Sequence, residues 1–211
     1  MIDSKRGSGS GSEGQLIILA APSGAGKTSL AKALAESIPN LEVSISHTTR
    51  PARQAEQDGK DYFFISKAMF EKMIANNDFL EYARVFDHLY GTAYEPVKYK
   101  LGLGYSIALD IDWQGARKVR ATRLKAISVF IAPPSLEDLE HRLIDRKRDS
   151  KEIIKNRMSE AISEISHYAE FDYVVVNEDF PTALEELRAI LLAGKAPDSG
   201  KNFDPTAFLQ P

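Results

Sequence analysis

The chain of 211 residues contains no cysteine, which excludes disulfide bonds and cysteine-ligated metal sites. It also lacks long hydrophobic runs, since a run such as Leu16 to Pro22 is far too short to span a bilayer. Residues 1–14 lack the apolar stretch that a secretory signal requires. The net charge is only −3 at pH 7, so nothing draws the whole protein to nucleic acid or to an anionic membrane. We therefore expect a cytoplasmic protein with neither nucleic acid nor membrane as a partner.

The composition is that of a folded domain with two simpler ends. Apolar residues make up 43% of the chain and charged residues 27%, which is enough apolar material for a packed core. Gly7 to Ser12 alternates glycine and serine, so residues 1–13 are predicted to be a flexible linker. Residues 196–211 are rich in proline, glycine and aspartate and are predicted to be a tail lying loosely on the surface.

Apolar periodicity predicts strands that alternate with helices through most of the chain. The predicted strands are residues 15–20, 41–46, 61–65, 79–86, 105–112, 125–131 and 173–176. The predicted helices are residues 28–37, 67–75, 95–101, 113–121, 135–148, 151–168 and 181–193. Ser66 and Ser135 are predicted to cap two of these helices.

This alternation predicts an α/β fold with a parallel sheet covered by helices on both faces. Two stretches break the rhythm. Between residues 48 and 91 the predicted strands lie on either side of a single helix. The polar stretch over residues 47–60 that precedes them is predicted to be a loop. Residues 135–167 contain no predicted strand. We expect the first stretch to be an inserted mixed α+β subdomain and the second to be a helical flap.

The strongest local motif is the segment Ala21–Thr28, which reads APSGAGKT and lies between a predicted strand and a predicted helix. Such a loop points backbone N–H groups and a helix N-terminus at the phosphates of a nucleoside triphosphate. Lys27 adds a positive charge for the β- and γ-phosphates, and Thr28 offers a hydroxyl to Mg²⁺. Ala21 stands where the motif has glycine, a change that costs little if its φ is negative. The residues predicted to contact ATP in this loop are Ser23, Gly24, Ala25, Gly26, Lys27, Thr28 and Ser29.

A second set of polar residues could bind the acceptor of the phosphate. A carboxylate can accept from N1 and N2 of guanine, and hydroxyls can donate to its O6 and N7. A monophosphate is best held by paired arginines and phenolic hydroxyls. The polar residues in question are Ser46, Arg50, Arg53, Glu56, Tyr62, Glu81, Tyr90 and Thr92.

Taken together, these segments resemble the guanylate kinase family over about residues 14–195. The resemblance rests on several matches in order along the chain rather than on the phosphate loop alone. The segments that carry it are residues 21–28, 44–53, 59–64, 79–83, 90–92, 109–115 and 176–177. The resemblance implies a P-loop kinase core that transfers the γ-phosphate of ATP to GMP or dGMP, with Mg²⁺ as cofactor.

The resemblance also implies a role for individual residues. Arg50, Arg53, Tyr62 and Tyr90 would hold the phosphate of GMP, and Glu56 belongs to the same GMP-binding set. Glu81, Ser46 and Thr92 would read guanine, with Asp112 nearby. Asp110 would support Mg²⁺ through water, and Asn177 would lie near the adenine. The lid arginines, which would join Lys27 in catalysis, are Arg142, Arg146 and Arg157.

The same resemblance predicts how the chain is divided. The predicted parts are a linker at residues 1–13, a core at residues 14–47, 92–134 and 168–195, a GMP-binding subdomain at residues 48–91, a lid at residues 135–167 and a tail at residues 196–211. Ala55 and Lys147 depart from the family pattern at positions where glycine is usual, which puts rates and affinities in question.

Other interpretations remain open at this point. The chain could be a kinase for another nucleoside monophosphate, or a catalytically inactive guanylate-kinase-like domain that binds phosphopeptides. Asp110 and Asp112 could simply cap the helix that follows them. The mixed charges of residues 135–167 could form a solvated surface. His47, His88, His141 and His167 lack the spacing of metal ligands and are predicted to be structural or solvated.

Overall fold

The computed structural model describes residues 14–85, 87–145 and 151–193 together with Phe203 and Phe208. The predicted linker and most of the predicted tail lie outside the described residues, as do Arg146 and Lys147. In chain order the elements are β1 (Leu16–Ala20), α1 (Lys27–Ser37), β2 (Leu41–Val43), β3 (His47–Thr48), β4 (Phe63–Phe64), α2 (Lys67–Ala75), β5 (Phe79–Val85), β6 (His88–Ala93), α3 (Tyr94–Gly102), β7 (Ser106–Asp110), α4 (Trp113–Arg120), β8 (Ala126–Ala132), α5 (Leu136–Asp145), α6 (Lys151–Ile165), a 3-10 turn (Tyr168–Glu170), β9 (Tyr173–Val176) and α7 (Phe180–Ala193).

The core is a five-stranded sheet in the order β2-β7-β1-β8-β9, and all of its neighbouring pairs are parallel. β1 is central and every one of its residues is buried, which explains its continuous apolar sequence LIILA. The predicted parallel sheet flanked by helices is therefore confirmed.

Helices cover both faces of this sheet, and alternate residues of β1 serve the two layers. Ile17 and Leu19 pack with the apolar sides of α1 and α7. Leu16 and Ile18 pack on the other face with residues of α3, α4 and α6. The period-two alternation of a strand thus places half of β1 in each layer of the core. Among the described residues, no helix is both long and apolar enough to cross a membrane.

A second sheet, in the order β4-β3-β6-β5, is formed by strands between residues 47 and 93. β6 pairs antiparallel with both β3 and β5, whereas β3 and β4 are parallel. The prediction of a loop over residues 47–60 was wrong at His47 and Thr48, and β6 was not predicted as a strand. Its sequence, HLYGTA, shows no apolar alternation, and it is extended because it pairs with residues distant in the chain.

Several predicted boundaries shift for local reasons. The predicted strand over residues 41–46 ends at Val43, because the chain then leaves the core sheet for the second one. The predicted strand over residues 105–112 ends at Asp110, and Asp112 caps α4 instead. The last predicted lid helix stops at Ile165 and is followed by the 3-10 turn. The helices beginning after Ser66 and Ser135 start as predicted, and each serine accepts a backbone hydrogen bond.

Candidate active site

One cleft of about 270 Å³ joins the phosphate loop to the second sheet. Its floor is formed by the residues after β7, and its remaining wall is formed by α6. The predicted site residues that line it are Ser23, Gly24, Gly26, Lys27, Thr28, Ser29, Ser46, Tyr62, Glu81, Tyr90, Asp110 and Asp112. Residues predicted from separate parts of the sequence for a triphosphate and for a guanine nucleotide thus share one cavity.

The phosphate loop ends in a helix N-terminus whose amides are not capped by a side chain. α1 begins at Lys27, and its capping residue Gly26 has a φ of 94°. A side chain on Gly26 would be strained at this φ, and its Cβ would lie 2.5 Å from the Nδ2 atom of Asn177. Ala21 is not among the residues with positive φ, so it replaces the usual glycine without strain. Amide groups at the start of α1 are therefore available to an anion, since no side chain caps them.

Lys27 is held at the centre of the cleft. Its Nζ atom lies 2.8 Å from Asp110 Oδ1 and donates to the carbonyl oxygen of Ile111 at 2.6 Å. Burial alone would lower the pKa of Lys27, but the nearby Asp110 carboxylate raises it above its ordinary value. The ammonium group therefore remains charged and directed into the cleft.

The two aspartates after β7 have different roles. Thr28 donates from its Oγ1 atom to Asp110 Oδ2 at 2.7 Å, so Asp110 joins the two motif residues Lys27 and Thr28. Asp112 accepts from the backbone N–H of Gly115 at 2.8 Å and caps α4. The capping interpretation therefore holds for Asp112, which also lines the cleft, but Asp110 contacts the phosphate loop instead.

The three residues predicted to read guanine come together because β6 pairs with β5 on one side and with β3, which follows Ser46, on the other. Glu81 lies opposite Thr92 in the register and accepts from its backbone N–H at 2.9 Å. Ser46 Oγ lies 3.4 Å from Thr92 Oγ1. All three residues are buried, and burial raises the pKa of Glu81 to about 7, with the nearby Asp112 adding to the effect.

Arg50 lies beside the two tyrosines of the cleft. One of its terminal nitrogens donates to both carboxylate oxygens of Glu56, at 2.8 and 2.9 Å. Its guanidinium carbon lies 5.4 Å from the ring centroid of Tyr62, which is 6.0 Å from the ring of Tyr90. Burial would raise the pKa of Glu56, but the bond from Arg50 holds it below its ordinary value. Glu56 therefore orients Arg50 in this structure and is not among the residues that line the cleft.

Arg53 is not brought to the cleft in the same way. Its side chain is 56% exposed, and its nearest ion-pair contact is Glu56 Oε1 at 4.0 Å. Its backbone N–H donates to Glu56 Oε2 at 2.8 Å, which closes the loop between the two arginines. Ala55 is not among the residues with positive φ, so this departure from the family pattern carries no backbone strain.

The described lid arginines lie in different places. Arg142 donates from a terminal nitrogen to the carbonyl oxygen of Asn177 at 2.8 Å. Both residues line an open groove that runs from the phosphate loop to Phe180. The Asn177 side chain donates to the carbonyl oxygen of Ala25 at 2.7 Å, so it supports the phosphate loop from behind. Arg157 is partly buried on α6. Burial raises the pKa of the nearby Glu160, and the positive charge of Arg157 opposes that rise.

Two carboxylates of the cleft were missed in the sequence. Glu160 and Glu164 both line the cleft from α6. Glu164 Oε2 accepts from the backbone N–H of Ser23 at 3.2 Å. Burial raises the pKa of Glu164 to about 7. In the sequence these residues belong to a strongly charged helix that resembles a solvated surface. The apolar residues Ile154, Ala161 and Ile165, which are buried in the structure, interrupt its charges.

Two histidines make ring contacts that agree with the prediction of structural histidines. His167 stacks on Trp113 with ring centroids 3.7 Å apart and contacts Glu170 at 2.8 Å. His47 stacks on Phe63 at 4.8 Å. In the part of the chain that the structure describes, no three His, Asp or Glu residues form a cluster that could hold a metal ion.

Comparison with known proteins gives consistent matches over most of the chain. A family model described as Guanylate kinase matches residues 13–194. The guanylate kinase of Methylococcus capsulatus is 58% identical over 179 residues, covering 85% of this chain and 88% of that protein. The guanylate kinase of Nitrosococcus oceani is 56% identical over 178 residues, covering 84% and 88%. The crystal structure of guanylate kinase from Anaplasma phagocytophilum matches with a TM-score of 0.73 at 35% identity, covering 90% of each chain. The chain belongs to the guanylate kinase family.

Proposed function

We propose that this chain transfers the γ-phosphate of ATP to GMP, and also to dGMP, releasing ADP and GDP or dGDP. Membership of the guanylate kinase family supports this activity. The observation that carries the site assignment is the single cleft lined by both Lys27 and Glu81. A cationic phosphate loop and a buried carboxylate suited to guanine face the same cavity there.

The donor is held by the phosphate loop. Backbone amides at the start of α1 bind the phosphates of ATP, and Lys27 neutralises charge at the β- and γ-phosphates. An oxygen of the GMP phosphate attacks the γ-phosphorus, and the bond from that phosphorus to the β-phosphate oxygen breaks to release ADP. The attacking oxygen is already anionic, so no strong general base is needed. Positioning and charge neutralisation therefore dominate the catalysis.

Thr28 and Asp110 fit a Mg²⁺ ion that accompanies ATP. The hydroxyl oxygen and the carboxylate lie 2.7 Å apart beside the phosphate loop. Mg²⁺ prefers oxygen ligands and commonly takes few from the protein, with water and phosphate supplying the rest. Thr28 would bind the ion directly and Asp110 through water. When bound, the ion would offset negative charge on the phosphates.

The acceptor is held by the second sheet. Glu81 accepts hydrogen bonds from N1 and N2 of guanine, and Ser46 and Thr92 donate to its acceptor atoms. Asp112 lies near this group in the same cleft. The phosphate of GMP is bound by Arg50, Tyr62 and Tyr90, with Glu56 orienting Arg50 as it does here. Arg53 joins them when its exposed side chain turns toward the phosphate.

The remaining roles belong to the lid and to the groove behind the phosphate loop. The adenine of ATP occupies the open groove lined by Arg142, Asn177 and Phe180. Arg142 and Arg157 stabilise charge on the transferring phosphoryl group, and Arg146 is assigned the same role from the sequence alone. The division into core, GMP-binding subdomain and lid at the ranges given in the sequence analysis stays a prediction. A cytoplasmic location and the lack of nucleic-acid or membrane partners stay predictions.

The two alternative functions have less support. An inactive phosphopeptide-binding domain has no use for the Lys27–Asp110–Thr28 arrangement, which is complete here. A kinase for another base would leave the buried Glu81 carboxylate facing adenine, cytosine or uracil without the paired N1 and N2 donors of guanine.

The test is ADP production with GMP, dGMP, AMP, CMP and UMP as acceptors. Wild type is expected to use GMP and dGMP far faster than the others. Glu81→Gln removes the charged acceptor and is expected to lower kcat/KM for GMP on the order of 10²-fold. Glu71→Gln on α2, where the side chain is 58% exposed, is the matched control and is expected to behave as wild type. Equal rates across the five acceptors would contradict the proposal.

A further inference from the structure

Glu164 places a carboxylate against the phosphate loop from the lid side of the cleft. It lies near the end of α6, whose buried residues Ala161 and Ile165 fix that part of the helix against the protein. Its Oε2 atom accepts from the N–H of Ser23, a residue of the phosphate-loop motif, at 3.2 Å. The carboxyl group of Glu164 therefore accepts from an amide of the loop that the proposed function assigns to the phosphates of ATP.

The surroundings of Glu164 make this contact sensitive to charge. Lys27 attracts the carboxylate, whereas Asp112 at the start of α4 and Glu160 one turn earlier on α6 repel it. The backbone N–H of Ser23 is its hydrogen-bond donor in the cleft. Burial is the largest influence on its ionisation and opposes the charged form. An additional negative group nearby would disfavour the charged carboxylate further.

A nucleotide that enters the loop brings such negative groups. Its phosphates compete with Glu164 for Ser23 and for the charge of Lys27, and like charges in a partly dry cleft repel strongly. The carboxylate must then either move away with α6 or take up a proton. Either response costs free energy that a neutral side chain at this position would not cost, so the charge of Glu164 opposes nucleotide binding.

We propose that Glu164 competes with ATP and ADP for the phosphate loop. Its carboxyl group accepts from the N–H of Ser23 when the loop is empty, and its charge weakens the binding of both nucleotides. The inference rests on the proposed function, because it takes this loop to be the site of ATP. Glu164 takes no part in the chemistry of the transfer in this role. Its charge favours release of ADP after the transfer, since the carboxylate is available to replace the departing phosphates.

The test compares Glu164→Gln with Glu152→Gln, an exposed glutamate on the same helix. Dissociation constants for ADP, ATP and GMP are measured separately by calorimetry on the full chain. Glu164→Gln is expected to bind ADP and ATP more tightly by about 10-fold, or about 1.4 kcal/mol, with GMP unchanged. Glu152→Gln is expected to match wild type for all three ligands.

A second readout separates competition from simple support of the loop. If the charge competes, Glu164→Ala also binds ADP more tightly, and the fall in ADP affinity from pH 6 to pH 8 is steeper in wild type than in Glu164→Gln. Weaker or unchanged ADP binding in both variants would overturn the proposal, because it would make Glu164 a brace of the loop or a bystander. Wild type that phosphorylates GMP normally in that case leaves the proposed function intact. Wild type that binds no ATP would overturn both.

Discussion

At the scale of single residues, the room for the Glu81 carboxylate comes from a glycine on another element. Gly115 lies in the first turn of α4, and a Cβ built on it would stand 2.6 Å from Glu81 Oε2. Real side chains do not approach so closely, so an alanine here would force the carboxylate away from its bond to Thr92. The glycine thus serves the position of Glu81 rather than any turn of the chain.

Gly115→Ala is therefore expected to raise KM for GMP by about 10-fold or more, since overpacking a tight site costs roughly 1–3 kcal/mol. KM for ATP is expected to stay unchanged, because the phosphate loop is not displaced. The control is Gly102→Ala at the end of α3, where a Cβ would meet nothing within 4 Å. Steady-state kinetics with each substrate varied in turn is the measurement. A rise in both KM values, or in neither, would contradict this explanation.

At the scale of elements, α4 connects three parts of the protein. Its Trp113 ring stacks on His167 beyond α6, and the guanidinium of Arg117 lies 4.6 Å from the same ring. Arg117 also donates to Glu170 in the 3-10 turn at 2.6 Å. On its other side, Lys118 contacts the ring of Tyr82 on β5. The helix therefore holds the second sheet and the 3-10 turn after α6 to the core.

Trp113→Ala is expected to destabilise the fold by about 2 kcal/mol, somewhat less than a fully buried tryptophan because its ring is only partly buried. Arg120→Ala, at an exposed position of the same helix, serves as the control and is expected to change stability by less than about 0.5 kcal/mol. Urea denaturation followed by circular dichroism measures both. Equal stability of the two variants would show that the stack contributes nothing.

At the scale of the whole molecule, the buried carboxylate of Glu81 opposes folding at alkaline pH. Its pKa is raised from the ordinary 4.5 to about 7 by burial. Between these values the folded state keeps a proton that the unfolded state releases. The contribution of this group to stability is therefore full below pH 4.5 and is lost as the pH rises through about 7. Under the proposed function this cost accompanies guanine binding, because the ionised carboxylate is the group that would accept from N1 and N2 of guanine.

Glu81→Gln is expected to be more stable than wild type at pH 8 by roughly 3 kcal/mol, the free energy that corresponds to this rise in pKa, and to lose most of the difference at pH 5. Thermal or urea unfolding at the two pH values, with Glu71→Gln as the control, measures the effect. A stability difference that does not change with pH would mean that burial does not perturb this carboxyl group.

Local signals predicted the elements whose form depends on neighbouring residues. α2 begins after Ser66 because that side chain accepts from Met69 N–H, and β9 spans the predicted Tyr173–Val176. β3 and β6 escaped prediction because their extended form depends on pairing between His47 and Gly91, which lie far apart in the chain. The contact between Glu164 and Ser23 was not predicted for a similar reason, since nothing near Glu164 in the sequence indicates that Ser23 is its partner.

What the sequence by itself determined is the chemistry that contiguous residues supply: a strand, a glycine-containing loop and a helix with Lys27 and Thr28 at its start. Those features follow from short-range geometry, so they are readable in one segment. Only the tertiary structure decided which distant groups share the cleft. Gly115 makes room for Glu81, and Glu164 meets Ser23 across a separation of 141 residues. Such contacts depend on how the layers pack, and packing is a property of the whole chain.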